Sequence, residues 1–415
     1  MNAEILSVGT ELLLGNVANT DAQTISEGLS MLGIDVFYHT VVGDNPARVK
    51  EAVAIARGRA EIIITTGGLG PTYDDLTKQA LAEAFGKKLV FDERSAGRVR
   101  AWFGRVAGHT MTENNLQQAY LPEGCEIFDN DWGTAPGCAF FADGVHVLML
   151  PGPPRECYAM FTHRALPYLR KLQDAVIFSR SLRIFGQGES AVESRLRARM
   201  EEMKNPSLAP YAKEGEVMLR VTAKAPTEAE AKALVDPVVS DVAAFLGNIV
   251  YGTDVNSLEE RVFQLLREKG MTLAAAESCT GGLLSEHFTN LPGASDVFLG
   301  GVVAYTNPVK EALLGVPHET LEAFGPVSRE TAVSMAEGAR ARLGADIALS
   351  VTGFAGPDGD EVGRVYTALA APDGVFCRRL KLGTGRSRIR TMAALHALDM
   401  ARRYLTGLPV EIWAE

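Results

Sequence analysis

Residues 277–282 read Glu-Ser-Cys-Thr-Gly-Gly and follow the apolar run Met271-Thr-Leu-Ala-Ala-Ala276. A short strand thus delivers Ser278, the Cys279 thiol and the Thr280 hydroxyl into a turn made by Gly281 and Gly282, and residues 283–290 suit a helix. A nucleophile on a strand-to-helix turn is exposed beside backbone N–H groups that can stabilise an oxyanion. The same residues also suit a plain turn in which Ser or Thr caps a helix. Six residues alone leave both readings open.

A serine nucleophile needs a base. His287, His318 and His396 are isolated in sequence and suit packing or surface roles better. Lys310 opens an expected helix over 308–314, just after a strand that ends at Tyr305. A lysine buried without a carboxylate partner loses its proton more readily and can then serve a serine as base. Ser295 is a second hydroxyl near a turn. Gly353 and Gly356 belong to a further glycine loop after a strand, and Arg386, Arg388 and Arg390 begin the last helix, where an arginine could hold a phosphate.

A second constellation lies near the N-terminus. Thr65-Thr-Gly-Gly-Leu-Gly-Pro-Thr-Tyr-Asp-Asp-Leu-Thr77 places Gly67, Gly68, Gly70 and Thr72 after a strand. Glycines there let backbone N–H groups approach a phosphate, and a helix opening at Asp74 would point its positive end at it. Asp74 and Asp75 supply hard oxygen ligands for Mg²⁺ or a similar divalent ion. Gly9, Thr10 and Glu11 form a comparable turn after the first strand, and Gly152 lies in a third, Leu150-Pro-Gly-Pro-Pro-Arg-Glu156. All three turns fall at the carboxyl ends of expected parallel strands, where open α/β sheets bind ligands. The glutamate cluster of Nudix pyrophosphatases is absent from the sequence.

The elements that must hold these groups fall into three regions, as 415 residues exceed what one core usually serves. Over residues 1–172 strands (3–8, 34–42, 61–66, 146–150) alternate with helices, which calls for an α/β domain with a mostly parallel sheet covered on both faces. Residues 173–252 form a small α+β unit without a Gly-x-x-Gly loop, so RNA binding is not expected. Residues 253–415 return to an α/β pattern: a helix over 257–269, the serine turn, strands over 297–305 and 345–352, a helix over 328–343, an antiparallel pair around Pro372-Asp-Gly374, and a final helix after Gly385. Apolar residues make up 47%, charged residues 22%, and the net charge is −10. No apolar run is long enough for a membrane span, and the N-terminus lacks a signal-peptide order. Five scattered cysteines without a Cys-x-x-Cys predict reduced thiols in the cytoplasm.

Taken together, the motifs resemble the bacterial CinA proteins across the whole chain. The N-terminal match is Gly9-Thr-Glu-Leu-Leu-Leu-Gly15, Thr66-Gly-Gly-Leu-Gly-Pro-Thr72, Asp74-Asp-Leu-Thr77, Gly133-Thr-Ala-Pro-Gly137 and Pro151-Gly-Pro-Pro-Arg-Glu156. It is similar to the molybdopterin-binding fold of the MoaB and MogA proteins. The C-terminal match is Ala276–Gly282, Gly301-Val-Val-Ala-Tyr305, Lys310, Val351-Thr-Gly-Phe-Ala-Gly-Pro357, Arg386 and Arg390. It is similar to the nicotinamide mononucleotide deamidases, and the middle region to a KH-like spacer. The resemblance implies a bifunctional enzyme of pyridine-nucleotide salvage, expected as a homodimer. Its C-terminal domain would convert nicotinamide mononucleotide to nicotinate mononucleotide and ammonia without a cofactor. Ser278 would attack, with Ser295 and Cys279 as alternatives, and Lys310 would take the proton. Tyr305 and Ser295 would position the groups, the turn at Thr280–Gly282 would hold the oxyanion, Gly353 and Gly356 would line the pocket, and Arg386 or Arg390 would pair with phosphate. The N-terminal domain would split ADP-ribose on a divalent ion held by Asp74, Asp75 and Glu156, or would only bind a nucleotide or pterin, or serve in dimerisation. Two departures stand out: the loop around Asp360-Glu-Val-Gly363 is short, and Asp21 stands where the family commonly has Asn.

Overall fold

A computed structural model describes residues 1–415 except 74, 106–110, 173–174, 214, 357–360, 384 and 412–415. The chain divides into two compact units, residues 1–178 with 224–231, and residues 179–223 with 232–415.

In the first unit β1 (Asn2–Val8), β2 (Asp35–Val42) and β3 (Ile62–Thr66) are followed by a short antiparallel pair, β4 (Leu89–Phe91) with β5 (Tyr120–Pro122), and then by β6 (Glu126–Phe128), β7 (Gly137–Ala142) and β8 (Val145–Leu150). The main sheet has the order β2-β1-β3-β8-β7-β6. Strands β1, β2, β3 and β8 run parallel, while β6 and β7 are antiparallel additions. Side chains alternate between the faces of a strand. Leu6, Val8 and Ile63 pack on Val49, Val53 and Leu81, whereas Ala3, Ile5, Ile62 and Ile64 pack on Ile25, Leu29 and Phe161. Both faces are covered, as a parallel sheet requires. The chain passes from β1 to β2 on one side and to β3 on the other, so β1 and β3 flank a topological switch point. The helix expected to open at Asp74 instead spans Thr77–Ala84. Asp75 closes a turn with Thr72 ahead of it, and Asp74 lies outside the described residues.

Strands β9 (Val176–Phe185), β10 (Ser207–Lys213), β11 (Glu216–Ala225) and β12 (Val250–Thr253), with all but the first three residues of β9 and the last two of β11 in the second unit, form a sheet of order β10-β11-β9-β12. The other sheet, β14-β13-β15-β16-β17, uses β13 (Leu273–Glu277), β14 (Phe298–Val303), β15 (Ile347–Gly353), β16 (Arg364–Ala371) and β17 (Gly374–Lys381). Strand β13 lies parallel to both β14 and β15, which makes its carboxyl end a second switch point. Its alanines reflect crowding on two faces. Ala274 and Ala276 meet Met335 and Ala339 of the helix Arg329–Leu343. Leu273 and Ala275 share a core with Val262 and Leu266 of Leu258–Lys269 and with Leu398 of Arg386–Leu405. Phe185 and Tyr251 of the other sheet join that same core. No helix among the described residues is long and apolar enough to cross a membrane.

Candidate functional site

Strand β13 ends at Glu277, and Ser278 begins the turn that leads to the helix Leu283–Thr289. The Ser278 N–H donates to the Val351 carbonyl at 2.9 Å, which ties the turn to β15. Gly281 at φ +60° and Gly282 at φ +100° carry the chain through the left-handed region that a side chain would strain. Lys310 begins the last turn of helix after β14 and is 1% exposed. Its Nζ lies 3.1 Å from Ser278 Oγ, 2.9 Å from the Ala304 carbonyl and 3.2 Å from the Tyr305 carbonyl. No carboxylate pairs with it among the described residues, and burial pushes the ammonium pKa below its ordinary value. The structure thus brings Ser278 and Lys310 together with the geometry a serine–lysine pair needs. A neutral amine keeps two N–H donors for the two carbonyls and turns its lone pair to the serine hydroxyl.

The turn itself differs from expectation in which amides are free. The Gly281 N–H donates to the Ser278 carbonyl at 3.1 Å, and the Gly282 N–H to Glu277 Oε2 at 2.9 Å. Glu277 also accepts from the Leu284 and Ser285 N–H groups and from Ser285 Oγ. This fully buried carboxylate therefore caps the helix and takes up its positive end. Among the described residues, the N–H groups of Cys279 and Thr280 carry no hydrogen bond to another residue, and these are the donors that remain for an oxyanion. In the sequence, Glu277 is signalled only as an acidic residue shortly before a helix start. Glu277→Ala is expected to destabilise the second unit by about 3 kcal/mol or more, since it strands several buried donors. Glu277→Gln is expected to cost less, and faster hydrogen exchange at the Leu284 and Ser285 amides is the measurement that checks it.

The other expected residues divide. Arg390 Nη2 and Nε donate to the Thr280 carbonyl at 2.6 and 3.2 Å, so this arginine braces the serine turn. Arg386 donates to the Tyr305 hydroxyl at 3.0 Å and to the Gly356 carbonyl at 3.1 Å, and it remains exposed. Tyr305 contributes its backbone carbonyl to Lys310 and its phenol to Arg386. Gly353 ends β15, where a side chain would run into Val365 at 2.6 Å. Cys279 is buried beside the serine, and burial pushes its thiol up to about 11. Ser295 is not brought to this group. It is exposed in the turn Ala294–Asp296 ahead of β14, at the amino edge of the parallel strands, whereas Ser278 and Lys310 lie at the carboxyl edge. The role given to Ser295 from sequence is corrected on that ground. Residues 357–360 of the short loop lie outside the described residues.

In the first unit the three glycine turns line one cavity of about 610 Å³ at the carboxyl ends of β1, β3 and β8. Gly9, Glu11, Gly67, Gly68, Gly70, Thr72, Gly152, Asp75 and Glu156 all line it. Thr10 is not among the lining residues; its N–H donates to Asp44 at 2.8 Å. Several amides expected to reach a phosphate are already used. Gly9 donates to Val42, and Gly67 donates to Leu150. Gly67 serves close packing, because a Cβ there would lie 2.2 Å from the Val8 carbonyl oxygen. The N–H groups of Gly68, Gly70 and Gly152 carry no hydrogen bond among the described residues and remain for an anion.

The lining holds five carboxylates (Glu11, Asp21, Asp44, Asp75, Glu156) and no described lysine or arginine. Burial raises Glu156, against the hydrogen bond it accepts from Asn130 at 2.7 Å. Burial likewise raises Asp21 to about 6, although the Cys157 thiol donates to it. No three His, Cys, Asp or Glu side chains gather into a metal site among the described residues. Asp75 and Glu156 in the lining are nevertheless hard oxygen donors of the type that magnesium-like ions use, one or two at a time, beside phosphate and water.

Three family models match the chain: a probable molybdopterin binding domain over residues 4–171, the damage-inducible protein CinA KH domain over 179–252, and the CinA C-terminal domain over 255–405. A CinA-like protein of Dictyoglomus turgidum is 47% identical, over 98% of this chain and 100% of its own length. A putative competence-damage inducible protein of Acetivibrio thermocellus is 48% identical over the same shares. Among solved structures, a competence/damage inducible protein from Agrobacterium tumefaciens is 41% identical over 36% of this chain and 93% of its own, with a TM-score of 0.35.

Proposed function

Because the chain belongs to the CinA family, with MoaB/MogA-like, KH-like and CinA C-terminal domains, we propose that its second unit hydrolyses the carboxamide of nicotinamide mononucleotide. The observation that carries this reading is the buried, carboxylate-free Lys310 at 3.1 Å from Ser278 Oγ. Ser278 Oγ attacks the amide carbon as its proton passes to Lys310 Nζ. The amide oxygen takes the negative charge and is met by the N–H groups of Cys279 and Thr280. Collapse expels ammonia, with the proton returned from Lys310, and leaves an ester on Ser278. Water deprotonated by the same amine then releases nicotinate mononucleotide. Arg386 would exchange its protein partners for the substrate phosphate. Ammonia release from nicotinamide mononucleotide by the purified full chain tests the reading. All five cysteines are free thiols, which supports a cytoplasmic setting.

For the first unit we propose that the cavity takes ADP-ribose and splits it to AMP and ribose 5-phosphate. Support comes from its free glycine amides and from its uncompensated carboxylates, which would repel a pyrophosphate unless a cation came with it. Asp75 and Glu156 are the described residues that would hold a divalent ion, whose chemistry when bound is to neutralise the pyrophosphate and acidify water. Chelation with EDTA is expected to stop AMP formation. Asp75→Asn is expected to lower it by roughly 10²-fold at fixed metal. Chromatography of the products also separates this reading from a module that binds without turnover.

A further inference from the structure

Two thiols outside both candidate sites lie against each other. The Cys125 and Cys138 thiols share a hydrogen bond in the first unit. Cys138 sits on β7 opposite Ile127 of β6, and Cys125 stands two residues before Ile127, on the same face. Both belong to the packing that also takes in Ile127 and Phe140, Cys138 at 1% exposed and Cys125 half-buried at its edge. The pairing of β6 with β7 starts at Glu126, so no ladder bond holds Cys125 in place. Its N–H donates instead to the Pro122 carbonyl at 3.2 Å, after Gly124 at φ +75°. The two thiols are also unequal. The hydrogen bond from Cys138 holds the Cys125 thiol below its ordinary pKa, aided by Lys87 and opposed by burial and Asp92. Donating that bond, together with full burial, raises Cys138 against the nearby Lys78. Of the five cysteines, Cys125 alone is not buried. Burial pushes Cys279 up to about 11 and Cys377 up to about 12, and raises Cys157 as well.

In such a pair the readily ionised, partly exposed thiol meets an oxidant and the buried one resolves the product. We propose that Cys125 and Cys138 form a redox modification site at which a peroxide closes a disulfide at the base of the loop 126–137. The Cys125 thiolate attacks one oxygen of hydrogen peroxide and breaks the O–O bond. The hydroxide set free takes up the proton that Cys125 gave up and leaves as water. Cys125 is then a sulfenic acid. The Cys138 sulfur attacks the Cys125 sulfur, and the departing hydroxyl takes the Cys138 proton as a second water. Each sulfur gives up one electron and the peroxide gains two. The closed loop carries Thr134 and Ala135 of the cavity wall, and Asn130, which donates to Glu156 at 2.7 Å. A transient disulfide of this kind is compatible with a reducing compartment.

The test treats the full chain with hydrogen peroxide at neutral pH, unfolds it in iodoacetamide, digests it without reductant and reads the peptides by mass spectrometry. The wild type is expected to give one cross-linked pair, Cys125 to Cys138, lighter by two hydrogens and released by dithiothreitol. Cys157, Cys279 and Cys377 are expected to be alkylated, with any oxidation at least about tenfold slower than at Cys125. In Cys138→Ala the reaction is expected to stop at a Cys125 sulfenic acid, trapped by dimedone. In Cys125→Ala, Cys138 is expected to stay a thiol. A wild-type Cys125 left unoxidised, or recovered as sulfinic acid without a link to Cys138, overturns the proposal. So does a link between two chains, or oxidation of the other three cysteines at the rate of Cys125. The wild-type arm decides by itself, so a misfolded variant does not shelter the proposal.

Discussion

Ser278→Ala is expected to lower ammonia release from nicotinamide mononucleotide by about 10⁴-fold or more while changing KM little, because losing a nucleophile leaves only the catalysis supplied by binding and oxyanion donors. Cys279→Ala and Ser295→Ala are expected to stay within a few-fold of wild type. The reasons differ. The Cys279 thiol is raised to about 11, so at pH 7 only about one in ten thousand is ionised, and a buried neutral thiol is a poor rival to an activated hydroxyl. Ser295 is simply at the wrong edge of the sheet, ahead of β14 and not after β13. Ser278 alone has an amine within 3.1 Å and backbone donors beside it. Parallel assays of the three variants decide the matter. Activity retained by Ser278→Ala would remove the proposed chemistry, and activity lost in Cys279→Ala with Ser278 intact would move the nucleophile one residue along.

What could be seen in the sequence follows from how local each signal is. The serine turn was legible because its meaning is local: an apolar run, then hydroxyls, then two glycines that the structure finds in the left-handed region. Lys310 was legible only as a candidate, since its worth depends on burial 32 residues away from the serine it serves. The parallel strands of the first sheet were found, but the antiparallel β6 and β7 were missed. Asp143-Gly144 joins β7 to β8 as a two-residue turn, with φ +52° and φ +83°, and that dipeptide was the hairpin signal overlooked. Glycines were read as phosphate cradles where some, such as Gly67, are there to let two loops touch. Ser295 misled because proximity to a turn in sequence says nothing about which edge of a sheet the turn occupies. The Glu277 cap is signalled in the sequence only by an acidic residue shortly before a helix start, because which N–H groups a carboxylate takes up is decided by the folded chain.

The lysine makes the sharper prediction, because its role depends on a proton and not merely on its presence. Lys310 can accept the Ser278 proton only as a free amine; as an ammonium it has three N–H donors and no lone pair. Burial lowers its pKa from 10.5, so kcat/KM for nicotinamide mononucleotide is expected to rise with pH and to level off at an apparent pKa below that value. The sign is fixed by the chemistry: protonation at low pH removes the base, so activity falls as pH falls. Lys310→Arg keeps the length and the charge but cannot release a proton, and Lys310→Met keeps the bulk without a base. Both are expected to lose about 10³-fold, within the range for a missing general base. Both should also lose the rising limb of the profile, which a merely structural lysine would leave in place. Arginine can still donate to the Ala304 and Tyr305 carbonyls, but its larger, permanently charged head enters a buried pocket that already disfavours the ammonium, so Lys310→Arg is expected to lose stability as well as activity, and the melting transition of each variant separates the two losses. An active Lys310→Arg, or a wild-type profile with no rising limb at any pH below 10, would show that the amine at 3.1 Å from the hydroxyl is not the base.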